Sequence, residues 1–257
     1  MVLTEVFPNP TVKQVVFQIQ FPSLFYLESK VGELQLKIMD RFPESALLLR
    51  RRVVFADIGP EGKMQRVAEE LEQDADQTRK LWQFATQDRS VELSIQSNSL
   101  SITSERHKTY RLGEGERFRD TIETVTRAFL EVVAVPRITR IGLRYVDDCP
   151  VPRLETDSFL AHYNTTLPLA RFDLGTAREM SLHARVLRGR HWLSFSERLD
   201  AGSGEPRLTL DFDGYATDIA SEDFLAVTDE LHDLIVDEFE RSIKEPVYEY
   251  MRRRKGE

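Results

Sequence analysis

Cysteine is nearly absent from this chain: Cys149 is the only one among 257 residues. A single thiol excludes an internal disulfide and a cysteine-based zinc site. Long apolar runs are also missing, because residues 129–135 contain Glu131 and fall far short of the roughly 20 residues that cross a bilayer. The first residues, Met-Val-Leu-Thr-Glu, lack the basic start and apolar segment of a signal peptide. These absences predict a cytoplasmic protein with no membrane partner.

Motifs that mark catalysis are missing as well. The chain has no Gly-x-Ser-x-Gly sequence and no glycine-rich phosphate loop, and its acidic segment 113–116 would repel phosphate. Asp147 and Asp148 lie beside Cys149 and would raise the pKa of its thiol rather than activate it. His183 and His191 flank a predicted hairpin and could face each other, but no third metal ligand accompanies them. We therefore predict no catalytic residue, no cofactor and no metal site.

Composition and charge are those of an ordinary globular protein, with 41% hydrophobic and 30% charged residues. The net charge of −8 argues against a general nucleic-acid coat, which would be basic overall. A local basic patch stays compatible with phosphate binding, because that binding depends on local charge. The length allows one large domain or two of average size.

Hydrophobic periodicity predicts strands that follow one another and long amphipathic helices, which is the α+β class with helices on one face of antiparallel sheet. We predict an N-terminal half, 1–149, and a C-terminal half, 150–257, which either are separate or form one continuous domain. A strand with Trp82 precedes the helix of Phe118, much as a strand with Trp192 precedes the helix of Phe224, so the halves could be related. The predicted helices are 27–42, 118–133 and 222–243, and residues 63–76 form either a further helix or a solvated loop. The predicted strands are 13–21, 46–58, 81–86, 91–95, 100–103, 137–148, 181–187, 191–199 and 207–213.

The end of the chain carries further local signals. Ser221 is placed to cap the last long helix, and Pro246 is expected to interrupt it. Residues 247–255 mix aromatic and basic side chains. This segment either docks a partner or contacts nucleic acid, or it is a solvated, frayed end.

Residues 137–148, Arg-Ile-Thr-Arg-Ile-Gly-Leu-Arg-Tyr-Val-Asp-Asp, are the most informative stretch. As a strand they have two faces, because strand side chains alternate with period two. The residues predicted to face the core are Ile141, Leu143 and Tyr145. The residues predicted to form a binding site on the opposite face are Arg140, Gly142 and Arg144. A glycine between two arginines leaves room for a backbone or an anion, and arginine forks bind carboxylate or phosphate.

One alternative competes with this interpretation of the arginines. They could instead pair with acidic residues of a neighbouring strand, which would make them structural. Arg185, Arg198 and Arg207 would extend the basic face only if the two halves share one sheet. Separately, Asp211 and Asp213 share a strand face and, with Glu197 on an adjacent strand, could hold magnesium for phosphoryl chemistry. No nuclease spacing accompanies them.

Several short segments together resemble a known family. They are Phe7-Pro-Asn-Pro10, Val15-Val-Phe-Gln-Ile-Gln-Phe21, Trp82-Gln-Phe-Ala-Thr-Gln-Asp88, Ile141-Gly-Leu-Arg-Tyr-Val146 and Leu231-His232. Their order resembles an uncharacterised, sporadically distributed bacterial family of about this length whose hallmark is a Gly-Leu-Arg-Tyr strand. The resemblance implies no known activity, cofactor or catalytic residue. A patchy distribution would fit genes that travel with mobile elements or defence systems.

These observations favour a non-catalytic binding or adaptor protein. The expected partner is another protein or a second copy of the chain, and nucleic acid stays open as a further partner. The alternative is a metal-dependent phosphodiester hydrolase that uses Asp211, Asp213 and Glu197. The absence of motif spacing favours the first.

Overall fold

A computed structural model of the protein describes residues 5–50, 79–115, 117–202 and 205–254. Within them, nine strands form one antiparallel sheet in the order β2-β3-β4-β5-β1-β6-β9-β8-β7. The strands are β1 (Val12–Gln20), β2 (Glu44–Arg50), β3 (Arg79–Ala85), β4 (Val91–Gln96), β5 (Ser99–Ser104), β6 (Ile138–Pro150), β7 (Glu179–Arg188), β8 (His191–Asp200) and β9 (Arg207–Ile219). Residues 63–76, predicted as a helix or a loop, and most of the predicted strand 46–58 lie outside the described residues.

Helices cover one face of this sheet. They are α1 (Leu27–Ile38), α2 (Phe118–Val132), α3 (Thr156–His162), α4 (Phe224–Ser242) and α5 (Glu245–Arg252), with a short 3-10 turn at Ser221–Asp223. Their apolar stripes and alternate residues of the strands form one hydrophobic core. The predicted α+β class is confirmed. No described helix is long and apolar enough to span a membrane.

Alternation along the central strands explains why only one face takes helices. In β1, Val15, Phe17 and Ile19 are buried toward the helices, and Val16 and Gln18 between them are half-buried on the other side. In β6, Ile141 and Leu143 are buried in the same way. An antiparallel sheet built from such strands buries one face and leaves the other polar. No helix among the described residues covers that polar face.

The order of elements repeats about the centre of the sheet. Divided before β6 rather than at the predicted boundary between residues 149 and 150, the first half runs β1-α1-β2-β3-β4-β5-α2, and the second runs β6-α3-β7-β8-β9-α4, with one strand fewer. In each half the first strand pairs with the last, and β1 pairs with β6 to join the halves. The sheet is therefore continuous from one half to the other.

Two local predictions near the C-terminus are wrong, and one of the alternatives for the terminal segment does not hold. Ser221 does not cap α4; it lies in the 3-10 turn, and its hydroxyl donates to the Val135 carbonyl at 3.0 Å. Pro246 does not interrupt a helix, because α4 has already ended and the proline lies in the first turn of α5, where its missing N–H is not needed. The C-terminal segment is not frayed as far as Arg252, since Val247 and Met251 are buried in the core.

Candidate functional site

The predicted site residues lie on the polar face of the sheet, which we call the open face. Cross-strand partners point to the same side of a sheet. Arg140 pairs with Gln20 of β1 and Thr217 of β9, and Arg144 pairs with Val16 and Asp213. These arginines are therefore near the middle of the open face, where the two halves meet.

Arg140 folds over its neighbours rather than projecting into solvent. Its Nη2 atom donates to both carboxylate oxygens of Asp213, at 2.8 and 3.1 Å. Its guanidinium carbon lies 4.6 Å from the centre of the Tyr215 ring. A Cβ atom on Gly142 would come within 2.7 Å of the Arg140 Nη1 atom. The space predicted above Gly142 is thus occupied by the side chain of Arg140, and only glycine leaves room for that path.

Arg144 forms a bidentate ion pair with Asp211. Its Nε and Nη2 atoms donate to the two carboxylate oxygens at 2.7 and 2.5 Å, and this hydrogen bonding raises the pKa of the guanidinium. Partial burial raises the pKa of Asp213 against the opposing effect of both arginines. Arg140 and Arg144 therefore pair with carboxylates of the adjacent strand, as the structural alternative in the sequence analysis predicted. Both arginines nevertheless lie on the accessible open face.

Aromatic side chains extend the arginine cluster toward the edge of the second half. Trp192 stacks beside Tyr215 with ring centres 6.4 Å apart and planes inclined by 13°. Arg185 lies over both rings, at 5.1 Å from Trp192 and 5.2 Å from Tyr215. Trp192 is 36% exposed, and its cross-strand partner Leu187 is 56% exposed. Sequence reasoning missed the two rings, although alternation along β8 and β9 placed them on the arginine side.

The continuous sheet also settles where the later arginines lie. Arg198 and Arg207 are on the open face of β8 and β9, and both are exposed. Arg198 Nε is 3.1 Å from Glu179, and Arg207 is 3.6 Å from Asp148. The open face therefore carries alternating positive and negative side chains rather than a uniformly basic patch.

The carboxylates of the alternative metal site do not come together. Glu197 lies on the helix-covered side of β8, where Thr165 and Thr166 donate hydroxyl hydrogen bonds to it. Asp211 and Asp213 are on the opposite side and are held by arginines. The described residues contain no group of three metal-ligating side chains. The prediction that these three carboxylates form one site is wrong, because Glu197 has the opposite parity along its strand.

The prediction that His183 and His191 could face each other across a hairpin is also wrong. His183 pairs with Ser196 on the open face, whereas His191 points to the helices and contacts Glu230 with Nε2 at 2.7 Å. Cys149 is buried, and burial together with Asp147 and Asp148 raises the pKa of its thiol, as the sequence predicted.

A cavity of about 100 Å³ lies on the helix-covered side, between the C-terminal end of β6, α4 and the loop after β5. Asp147 of β6 lines it and is only 2% exposed. Thr11 donates its hydroxyl to Asp147 Oδ1 at 2.8 Å. Burial raises the pKa of this carboxyl to about 7. An aspartate near a predicted strand end is typical of a turn, but β6 continues to Pro150 and the alternation turns Asp147 into the core.

Aromatic groups form much of the cavity wall. The rings are those of Phe7, Tyr110, Tyr145, His232 and Phe239. Tyr110 and His232 stack with their ring centres 4.2 Å apart. The Tyr110 hydroxyl donates to Asp229 at 2.8 Å, and Arg119 holds the same carboxylate at 2.8 and 2.9 Å. Burial lowers the pKa of His232 to about 4, so the ring is neutral near pH 7.

Comparison of the sequence with protein-family models and with curated proteins finds no match. The resemblance to the bacterial family with a Gly-Leu-Arg-Tyr strand stays a prediction. The fold places this chain among α+β proteins with one helix-covered and one open sheet face, and the open face and the cavity are its two candidate sites.

Proposed function

We propose that the protein is a non-catalytic binding or adaptor protein of the cytoplasm, and that its open face receives a partner protein. The observation that carries the proposal is the cluster of Arg140, Arg144, Arg185, Trp192 and Tyr215 on a sheet face that no described helix covers. Arginine, tryptophan and tyrosine are the residues most enriched where protein interfaces concentrate their binding energy.

The charge pattern favours a protein over a nucleic acid as the partner. Arg140 and Arg144 are matched by Asp213 and Asp211, so a phosphate backbone would meet carboxylates beside each arginine. Nucleic-acid affinity comes mainly from unmatched cations that displace counterions. A surface of alternating positive and negative charges instead favours a partner protein whose own charges are complementary and in register.

The exposed apolar groups indicate where the contact would be centred. Leu187 and Trp192 are neighbours across β7 and β8, and both keep large accessible surface. Tyr215 lies beneath Arg140 and Arg185 and is only 6% exposed, so the rings and guanidinium planes form a preorganised platform. Rigid aromatic surface of this kind loses little conformational entropy on binding.

The test is affinity capture from cells that naturally make the protein. The decisive variant is the charge swap Arg144→Asp with Asp211→Arg, which keeps an ion pair but reverses its direction. We expect the swap to fold and to lose the partner that the unchanged protein retains. The double charge reversal Arg140→Glu with Arg144→Glu, which leaves neither ion pair, should lose the partner as well. A matched control, Arg127→Glu with Arg241→Glu, reverses two exposed arginines on helices and should retain it.

Two outcomes would contradict the proposal. Retention of the partner by a folded charge swap at physiological salt would show that the arginines are purely structural. Binding of labelled DNA or RNA that disappears in the same variants would show that nucleic acid, not protein, occupies the face.

The hydrolase alternative has a separate test. We expect no cleavage of labelled single- or double-stranded DNA and RNA with magnesium or manganese, because Glu197 is on the far side of the sheet from Asp211 and Asp213. Cleavage by the unchanged protein that is lost in both Asp211→Asn and Asp213→Asn would restore the enzyme interpretation.

A further inference from the structure

The cavity beside Asp147 is not explained by the open face, since it lies on the opposite side of the sheet. We propose that it binds a small primary alkylammonium ion, with the ammonium group against Asp147 and Tyr145 and the alkyl chain against the aromatic wall. Three features of the described residues support this ligand: an incompletely paired carboxyl, an unpartnered hydroxyl and a wall of rings.

The carboxyl of Asp147 is poorly compensated for a group so deeply buried. Thr11 donates to Oδ1, and no hydrogen bond from the described residues reaches Oδ2. A buried carboxylate with a single neutral donor is costly, and a bound cation would offset that cost directly. A neutral or anionic ligand would leave the charge uncompensated.

Tyr145 provides the second polar group. Its side chain is 8% exposed, it lines the same cavity, and its hydroxyl has no hydrogen-bond partner among the described residues. Tyr145 and Asp147 are two positions apart on β6, so their side chains lie next to each other on one face. The Tyr145 hydroxyl has almost no accessible surface of its own, so the ring must turn slightly for that oxygen to meet the ligand. An ammonium group has three donors, which then suits one carboxylate oxygen and one hydroxyl oxygen at once.

The remaining wall suits the body of the ligand. Aromatic faces attract cations and also pack against alkyl groups. The stacked pair of Tyr110 and His232 forms one side, and Phe239 and Phe7 form others. Because an apolar cavity of about 150 Å³ holds the six heavy atoms of benzene, the cavity of about 100 Å³ found here has room for about four heavy atoms, close to the five of n-butylammonium.

Other charged groups around the cavity are already engaged. Lys108 Nζ donates to the Val12 carbonyl at 2.8 Å, and Arg111 pairs with Asp233 at 2.7 Å. Glu5 contacts Arg252. The positive charge of Lys108 favours the ionised form of Asp147, while Asp211 across the sheet opposes it. Asp147 is therefore the carboxyl of the site with an oxygen left for a ligand.

The test is isothermal titration of the full chain with n-butylammonium chloride, with n-butanol and sodium n-butyrate as matched ligands. At pH 8 we expect saturable binding of n-butylammonium only. Asp147→Asn should weaken it at least tenfold, and Tyr145→Phe should weaken it severalfold. Asp148→Asn removes the adjacent carboxyl, which points to the open face, and should leave the affinity unchanged.

A pH series gives an independent readout. Because the ammonium ion stays charged from pH 6 to 8 while Asp147 ionises with a pKa of about 7, the affinity should rise about tenfold over that range. Equal binding of n-butanol, undiminished binding by folded Asp147→Asn, or no binding of n-butylammonium at millimolar concentration would each overturn the proposal. Circular dichroism of each variant establishes that it is folded, and Tyr145→Phe supplies a second variant that changes only one hydroxyl.

Discussion

The two halves of the sheet have similar strand orders, with five strands in the first and four in the second, but differ in the chemistry of their open faces. In the first half, β1, β5 and β4 present mainly uncharged polar side chains, such as Gln18, Ser101 and Ser94, which lie in one cross-strand row. In the second half the same row continues through Gly142 and Tyr215 to Trp192. Arginine–aspartate pairs flank that continuation, whereas the first half has no counterpart to them among these strands.

This difference separates the residues that build the fold from those that the proposed binding role would use. Both halves bury the same kind of alternating apolar residues, for example Phe17 in β1 and Leu143 in β6, which face each other across the central pair. Burial of one face therefore accounts for the repeated architecture. The open face is free of that constraint, so its charges and rings in the second half are available for the proposed binding role.

The largest expected effect tests whether the halves form one cooperative core. Phe129 of α2 and Phe239 of α4 are both buried, and Phe239 also contacts Phe212 of β9 with ring centres 6.2 Å apart. Replacing either with alanine removes buried apolar surface and leaves a cavity, so each should lower the free energy of unfolding by about 3–5 kcal/mol. Urea denaturation followed by far-UV circular dichroism measures this. A single transition in both variants is expected, and two separate transitions would show that the halves unfold independently.

The next effect concerns a carboxyl buried in the core of the second half. The folded chain holds the pKa of Asp147 at about 7, above the value near 3.9 in an unfolded chain. The folded state then keeps a proton that the unfolded state releases, so this group lowers stability as pH rises from about 4 to 7. Asp147→Asn removes that penalty while keeping an acceptor for Thr11. At pH 8 it should be more stable than the unchanged protein by about 2–4 kcal/mol.

The control for this prediction is the pH dependence of the difference. The stabilisation should nearly vanish at pH 4, where both side chains are neutral in the folded chain. Asp148→Asn, on the open face beside Arg207, should show no gain at either pH. A constant difference between pH 4 and pH 8 would mean that packing, not protonation, causes the effect.

Local patterns in the sequence predicted much of the fold, because period-two and helical stripes report directly on which side chains are buried. They could not predict that β1 and β6 join the halves, since strand order depends on contacts between residues more than a hundred positions apart. Arg140, Gly142 and Arg144 were placed on the correct face, but their pairing with Asp213 and Asp211 required the register of β9. The cavity was missed because Asp147 looked like the end of a strand.

The smallest effect compares one glycine from each half. Gly142 lies under the Arg140 guanidinium, and a methyl group there would come within 2.7 Å of Nη1. Gly142→Ala should therefore displace Arg140 from Asp213 and Tyr215 and lower the free energy of unfolding by about 1 kcal/mol, the size of a lost partly exposed charge pair and ring contact.

Gly32 lies in α1, and a Cβ atom added there would meet no described neighbour within 4 Å outside its own helix backbone. Gly32→Ala should therefore raise stability by roughly 0.5–1 kcal/mol through helix propensity. If Gly142 is needed for the observed position of Arg140, urea denaturation should show a lower free energy of unfolding for Gly142→Ala and a higher one for Gly32→Ala. A higher free energy of unfolding in both variants would show that Arg140 changes position without a loss of stability.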